Sequence, residues 1–473
     1  MVPMTLHEIA QAVGGALHDA VDPVAVVDRP GVIDSRLVEP GALFIALPGE
    51  HTDGHRFAEA AVRAGATGVL AARPVGVPAI VVSDVQDAMG ALARAVLDRL
   101  KAPTVIGLTG SAGKTSTKDL LAQVLETIDT TVATPLSYNG EIGLPLTVFR
   151  ADEDTRLLVL EMGARGAGHI KYLTGIVPPK VGLVLNVGTA HVGEFGGGKE
   201  SIAAAKGELV EALPADGLAV LNADDPYVMS MAPRTIAPVL TFGIKAGDVR
   251  ACGIELDAAG RPSFTLTYRG QIAPVKLGLH GAHHVSNATA AAAVAVGLGA
   301  GLRQTADALA GARQLTPGRM DVTDRPDGVT VIDDAFNANP ESMAAALAAL
   351  TAIAGGRRTV AVLGEMRELG AQSGDHHAQL GRLVADSGIH HLIAVGDQDA
   401  ALVHATAAEG GVNATLVPDR DAALDLLLTY LKPGDVVLVK GSHSTGLEET
   451  ALRLADAAPR PGRRRGPGRA AQR

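Results

Sequence analysis

Short apolar runs alternate with longer Ala- and Leu-rich stretches along most of this chain. Runs at 42–47, 67–70 and 79–82 predict strands, and the segments 56–64 and 86–100 predict helices among them. Lys101-Ala102-Pro103 interrupts the pattern, because a proline disfavours helix in the residue before it. Apolar runs return at 104–108, 157–161, 181–185 and 218–221, with helical stretches between them, including one at 118–125. That alternation implies a largely parallel sheet with helices on both faces. Runs at 264–268 and 272–276, split by Arg269-Gly270-Gln271, predict a hairpin joined to the sheet, and 284–298 predicts a long Ala/Val helix. Leu315-Thr316-Pro317-Gly318 reads as a linker. Strands near 329–333, 359–363, 391–395, 414–417 and 435–439 then alternate with helices, which predicts a separate doubly wound unit. The expectation is a three-domain α/β protein divided as 1–102, 103–315 and 316–458. The Pro/Gly/Arg-rich stretch 459–473 has no apolar pattern and is expected to be a disordered basic tail.

Composition narrows the class. A chain of 473 residues has room for about three cores, and 47% hydrophobic with 19% charged residues suits a globular protein. Aromatic residues make up 3% and there is no Trp, so no stacking platform for nucleic acid is evident. The net charge is −10 although six arginines sit in the tail, so the body is more acidic still; nucleic acid is not an expected partner. Cys252 is the sole cysteine, which excludes an internal disulfide and fits a reducing compartment. No apolar run reaches the roughly 18 residues of a membrane span, and the N-terminus has neither a basic start nor an apolar signal core. A cytoplasmic protein is expected.

The chemistry concentrates at Thr109-Gly110-Ser111-Ala112-Gly113-Lys114-Thr115-Ser116, between a predicted strand and a predicted helix. A Gly-rich turn opening a helix aims backbone N–H groups and the positive end of the helix dipole at an anion. Lys114 adds a charge for the outer phosphates, and Thr115 adds a hydroxyl suited to Mg²⁺. The commoner phosphate loop has glycine where this chain has Leu108, so the motif is a shorter T-G-x-x-G-K-T form. An ordinary turn carrying a surface lysine is the competing reading. The strand–loop–helix context favours nucleotide.

Two further strands end on polar residues. One finishes at Glu161; the other runs through Asn186 and leads by Val187-Gly188-Thr189-Ala190 to His191. In a parallel sheet both reach the edge that carries Lys114. Alone, Glu161 reads equally well as a strand-end surface charge, and His191 reads more readily as an ordinary polar loop residue than as a ligand; their joint placement favours function. Lys206, by spacing alone, is a solvated helix lysine.

The loop, Asn139-Gly140-Glu141-Ile142-Gly143-Leu144-Pro145, Glu161-Met162-Gly163, Thr189-Ala190-His191 and Ala205-Lys206-Gly207-Glu208 together resemble the Mur ligases in order and spacing. Those enzymes build the peptide stem of bacterial cell-wall precursors. The resemblance covers nearly the whole chain. Ile33-Asp34-Ser35-Arg36, Pro40-Gly41-Ala42-Leu43-Phe44 and Asp53-Gly54-His55-Arg56-Phe57 look like the family's UDP-sugar-binding N-terminal domain. His283 to Asn287, Pro317-Gly318-Arg319 and Asp333-Asp334-Ala335-Phe336-Asn337-Ala338-Asn339-Pro340 look like its nucleotide contacts. The last of these, with Leu363 to Gly370 and the Asn139 stretch, points within the family to addition of D-alanyl-D-alanine to UDP-N-acetylmuramoyl-tripeptide. The alternative is the member that adds diaminopimelate or lysine, which normally shows Asp-Tyr-Ala-His where this chain has Asp334-Ala335-Phe336-Asn337. His284 and His443 stand where relatives carry Asn and Arg, and Thr445 to Glu449 lacks the usual basic and Met residues.

The resemblance implies a central P-loop ATPase domain and a C-terminal Rossmann-like domain. It implies ATP and two Mg²⁺, with Gly110 to Ser116, Asn287, Arg319 and Asp334 holding the nucleotide, and Thr115, Glu161, Lys206 and His191 serving the metals. Lys206 would be carbamylated; Lys114, Lys206 and His191 would be the catalytic set. Ser35, Arg36 and Asn139 would meet the UDP-sugar substrate, and Asn337 and Asn339 the dipeptide. It further implies small-molecule substrates only, a monomer, and closure of the C-terminal domain to complete the site.

Overall fold

The computed structural model describes residues 1–457 except Val21, Glu50, His51, His191 and Gly197. The expected tail 459–473 lies outside the described residues. By packing, the described chain forms two compact units, 1–316 with Glu368–Ala371, and Pro317–Arg367 with the residues from Gln372 onward.

In the first unit the N-terminal apolar runs form a sheet in the order Ala16–His18, Ala79–Val81, Gly68–Ala71, Leu43–Ile45. A second sheet has nine strands, in the order Gln271–Lys276, Pro262–Tyr268, Val249–Leu256, Val239–Gly243, Leu218–Asn222, Val181–Val184, Thr104–Thr109, Leu157–Glu161, Thr131–Ala133. Its pairings are parallel from Val249–Leu256 to Thr131–Ala133, and the expected hairpin adds antiparallel at the other edge. The central strands are buried along their length, which is why they read as unbroken apolar runs. Thr131–Ala133, Val239–Gly243 and Val249–Leu256 were not anticipated. The first has three half-buried residues, and the last mixes buried and exposed positions, so neither shows a continuous run.

Register places the chemistry. Leu108 pairs with Glu161 and Val184 with Thr109, so three strands end together beside the Gly-rich turn. Gly107 permits this face to be covered: a Cβ there would lie 2.9 Å from Leu209 of the helix Gly198–Glu211.

Lys101-Ala102-Pro103 marks a change of sheet and not a break in packing. Leu6, Ile80, Met89 and Leu92 share one apolar cluster with Leu144, Phe149, Leu158 and Ile170. The C-terminal end of the unit is pinned to the helix Lys114–Glu126. Asp119 accepts from the Thr316 N–H at 3.2 Å, and the Gln123 amide exchanges hydrogen bonds of 3.0 Å with both backbone groups of Arg313.

The second unit is a six-stranded sheet in the order Asp321–Asp324, Thr330–Asp333, Val436–Lys440, Thr359–Gly364, His391–Val395, Asn413–Val417. Five strands are parallel, as a doubly wound unit requires, and Asp321–Asp324 adds antiparallel at the edge. That edge strand is half-buried to exposed and carries two aspartates, so no apolar run announced it. Among the described residues no helix is long and apolar enough to cross a membrane.

Candidate active site

The buried strand Thr104–Thr109 runs into a turn whose last residue, Gly113, has φ +78°. Only glycine adopts that conformation without strain. The helix Lys114–Glu126 then starts with no side-chain cap, and a helix start of this kind presents the positive end of its dipole to an anion. A Cβ on Gly113 would sit 2.6 Å from Asn287 Oδ1, so the buried Asn287 lies directly against the turn. Lys114 Nζ donates to the Gly110 carbonyl at 2.9 Å, curled back over the loop. Gly110, Ser111, Ala112, Gly113, Lys114, Thr115 and Ser116 thus form one continuous cradle at the head of the sheet.

Glu161 is 1% exposed and lies beside that cradle. Its Oε2 accepts from Thr115 Oγ1 at 3.0 Å, while Oε1 accepts from Ser137 Oγ at 3.0 Å and Asn139 Nδ2 at 2.8 Å. Its backbone is held too, the N–H donating to Thr134 Oγ1 at 3.0 Å. Asn139, expected at the UDP-sugar, therefore touches the carboxylate, and Ser137 joins a cluster to which sequence reasoning had not assigned it. The one available signal was its position two residues before Asn139 in the same loop.

Lys206 is no solvated lysine: it is 4% exposed, on the inner face of the helix Gly198–Glu211. Burial first, and then the positive charge of Lys114, push its amine well below the usual lysine range. That effect puts Lys206 within reach of the Lys114 charge. His191 lies outside the described residues.

Asn186 was read only as a strand end, and the structure gives it more. Its Oδ1 accepts from the Ser111 and Ala112 N–H groups at 3.0 and 2.9 Å, and its Nδ2 donates to the Ala112 carbonyl at 3.0 Å. The position one strand away from the loop was the signal; a neutral amide there carried no charge to attract notice.

Arg319 and Asp334 belong to the second unit. The Arg319 guanidinium lies 4.2 Å from the centroid of the Phe336 ring, and the next residue, Met320, has φ +61°, a strained turn conformation for a side-chain-bearing residue. Asp334 Oδ2 pairs with Lys440 Nζ at 2.7 Å, and Lys440 also donates to the Asn337 carbonyl at 2.8 Å. Lys440 is 1% exposed; burial lowers its pKa against the pull of Asp334. It ends the strand Val436–Lys440, so the strand-end logic that found Glu161 applied to it as well.

Asp333, next along, is pushed up to about 6 by burial, with Asp321 and Asp334 adding repulsion. A carboxyl raised in this way stabilises the fold while protonated, and that stability is lost as pH climbs from about 4 to about 6. Asp333→Asn is therefore expected to stabilise the chain at pH 8 by about 2 kcal/mol and to flatten the fall in thermal midpoint between pH 4 and pH 6. Melting curves across that range check it; an unchanged pH profile contradicts it.

Ser35 opens a short turn capped by Asp34, whose carboxyl is held down to about 2 by the exposed Arg36 guanidinium, 2.6 Å away. Asn339 Oδ1 caps the helix Pro340–Ala354, accepting from the Ser342 N–H at 2.8 Å, and Asn337 Oδ1 accepts from the Ala338 N–H at 2.8 Å. Local backbone bonding accounts for both amide oxygens. His284 is buried with neither ring nitrogen hydrogen-bonded, and burial followed by His283 and His280 lowers its pKa.

A phosphate cradle at the head of a parallel sheet, flanked by a buried carboxylate, defines a nucleotide-binding α/β protein of P-loop type. Comparison with known proteins narrows this. Residues 32–104 match the Mur ligase family catalytic domain, 108–295 the Mur ligase middle domain, and 318–443 the Mur ligase glutamate ligase domain. The chain is 47% identical to a UDP-N-acetylmuramoyl-tripeptide–D-alanyl-D-alanine ligase of Mycobacterium bovis, over 95% of this chain and 97% of that one. The Escherichia coli enzyme of the same name is 34% identical over 96% and 99%. Among solved structures, MurF from Acinetobacter baumannii superposes with a TM-score of 0.85, at 32% identity over 96% of this chain and 99% of that one. MurF ligase from Thermotoga maritima, in complex with ADP, gives 0.77 at 31% identity over 91% and 97%. The chain belongs to the Mur ligase family.

Proposed function

We propose that this chain is an ATP-dependent carbon–nitrogen ligase that joins D-alanyl-D-alanine to UDP-N-acetylmuramoyl-tripeptide, in cytoplasmic synthesis of peptidoglycan precursors. The substrate choice follows the relatives that carry that activity by name, at 30 to 47% identity over most of the chain. A ligase structure that adds diaminopimelate is 22% identical, a level at which likeness speaks for fold alone. The observation that carries the ATP chemistry is the Thr115–Glu161 hydrogen bond at the mouth of the phosphate cradle.

A carboxylate is a poor electrophile, so direct amide formation is unfavourable in water. Attack of a carboxylate oxygen on the γ-phosphorus of ATP breaks the bond to the β-phosphate, releasing ADP and leaving an acyl phosphate. The dipeptide amine then attacks the carbonyl, and phosphate leaves from a tetrahedral intermediate. The protein's tasks are alignment and charge stabilisation. Gly110 to Ser116 cradle the phosphates, Lys114 neutralises charge on the outer ones, and Asn287, Arg319 and Asp334 take the rest of the nucleotide. Arg36, Ser35 and Asn139 take the UDP-sugar; Asn337 and Asn339 stay assigned to the dipeptide. We propose that the protein works as a monomer, with 1–102, 103–315 and 316–458 as its functional divisions.

The donors present fit Mg²⁺. The described residues contain no cluster of three His, Cys, Asp or Glu able to cage an ion. Mg²⁺ commonly binds through one or two carboxylates together with substrate phosphates, and Glu161 with the Thr115 hydroxyl offers such a half-site. When bound, Mg²⁺ draws off charge from the transferring phosphoryl group. Lys206 carbamylated by CO₂, with His191, would serve a second ion; an uncharged amine is the form that reacts with CO₂, and burial beside Lys114 favours it.

The test is phosphate release with ATP and UDP-N-acetylmuramoyl-tripeptide, offering D-alanyl-D-alanine, diaminopimelate, lysine and glutamate separately. Turnover with the dipeptide alone is expected. Preference for any single amino acid, or ATP hydrolysis indifferent to the amine, would overturn the assignment.

A further inference from the structure

We propose that Asn186 is a positioning residue for ATP, a neutral brace that fixes the phosphate loop before the nucleotide arrives. The inference rests on the reading of that loop as the ATP site. Asn186 follows the strand Val181–Val184, which lies parallel to the strand entering the loop. Its amide holds the loop through three hydrogen bonds of 2.9 to 3.0 Å, and its own carbonyl takes a further bond from the Ser111 N–H at 3.1 Å. Asn186 is itself held from the neighbouring strand end. Asn222 Nδ2 donates to the Leu185 carbonyl, and the Val187 N–H donates to Asp225 Oδ2, each at 2.8 Å.

The consequence falls on two of the loop's N–H groups. Those of Ser111 and Ala112 are committed to a protein oxygen and set the curvature of the turn. The helix Lys114–Glu126 opens just after them, with no side-chain cap. A loop already curved loses little freedom on binding and does not reorganise during transfer. The choice of side chain follows. The position needs an acceptor for two N–H groups and a donor for one carbonyl, which an amide supplies. A carboxylate would fit the space, but it would face the Ala112 carbonyl with no proton and set a negative charge beside the incoming phosphates.

The experiment measures ATP binding by calorimetry, and KM for each of the three substrates, on the full-length chain. Asn186→Ala is expected to raise both Kd and KM for ATP about tenfold, the effect of one or two lost hydrogen bonds. KM for the UDP precursor and for the dipeptide should stay within about twofold, the scale of an unaffected site. Asn186→Asp keeps the shape of the side chain, and supplies a folded variant if alanine loosens the protein. It is expected to weaken ATP binding in the same direction. Unchanged ATP affinity in either folded variant, or a parallel rise in all three KM values, would overturn the proposal. Failure of the wild-type chain to bind ATP is a separate result, and strikes the ATP reading itself.

Discussion

Lys206→Ala is expected to lose at least about a thousandfold in turnover, the several kcal/mol that a catalytic metal's support supplies, and to regain part of it when a small carboxylic acid is added. Lys206 is an unusual place for an ammonium: buried, and pushed toward the uncharged form by burial and by Lys114. A cation there would repel Mg²⁺, whereas a carbamate presents the hard oxygens that Mg²⁺ prefers. A carboxylic acid diffusing into the alanine variant replaces those oxygens, which is why rescue tests the carbamate and loss alone does not. Thermal stability should fall little, since the variant also removes an amine that is costly to bury. Full activity in Lys206→Ala would end the carbamate reading; loss with no rescue by formate or acetate would leave the lysine a structural part.

The second large effect is at the loop. Lys114→Ala should slow substrate-dependent phosphate release at least about a hundredfold, as does removal of a single preorganised charge stabiliser elsewhere. In the structure Lys114 Nζ rests on the Gly110 carbonyl, one side-chain swing from the space over the cradle. Its charge is complementary to that which builds on the phosphoryl oxygens during transfer, so kcat should fall more than ATP affinity. Lys114→Arg keeps the charge but spreads it over a planar fork, and should recover little. Single-turnover measurements separate the chemical step from binding. An unchanged rate in Lys114→Ala would remove the loop from the mechanism. The same variant provides a cross-check: without Lys114, the Lys206 amine loses one of the two influences that lower it.

The legibility of this protein follows burial. Strands hidden on both faces, such as Thr104–Thr109 and Leu157–Glu161, show as unbroken apolar runs, and helices packed between them show by contrast. Edge strands such as Asp321–Asp324 and the partly exposed Val249–Leu256 mix polar and apolar positions and passed unseen. The boundary after residue 102 is a change of sheet, and the packing across it is a separate matter. Proline ends a helix locally, but whether the flanking cores merge depends on contacts such as that cluster of Leu92 with Phe149, to which no local signal points.

For the site, the sequence by itself determined the phosphate loop, because its chemistry depends on neighbours in the chain: a turn that needs Gly113, a helix start, a lysine and a hydroxyl. It also determined that Glu161 ends a strand, since an apolar run stopping at a carboxylate is a local fact. Only the tertiary structure decided that Glu161 accepts from Thr115, Ser137 and Asn139, that Lys206 is buried within reach of Lys114's charge, that Asn186 braces the loop, and that Lys440 pairs with Asp334. Hydrogen bonds and desolvation act over a few ångströms of space, whatever the separation along the chain. Strand order and register set those distances, and they emerge only when the whole sheet is assembled.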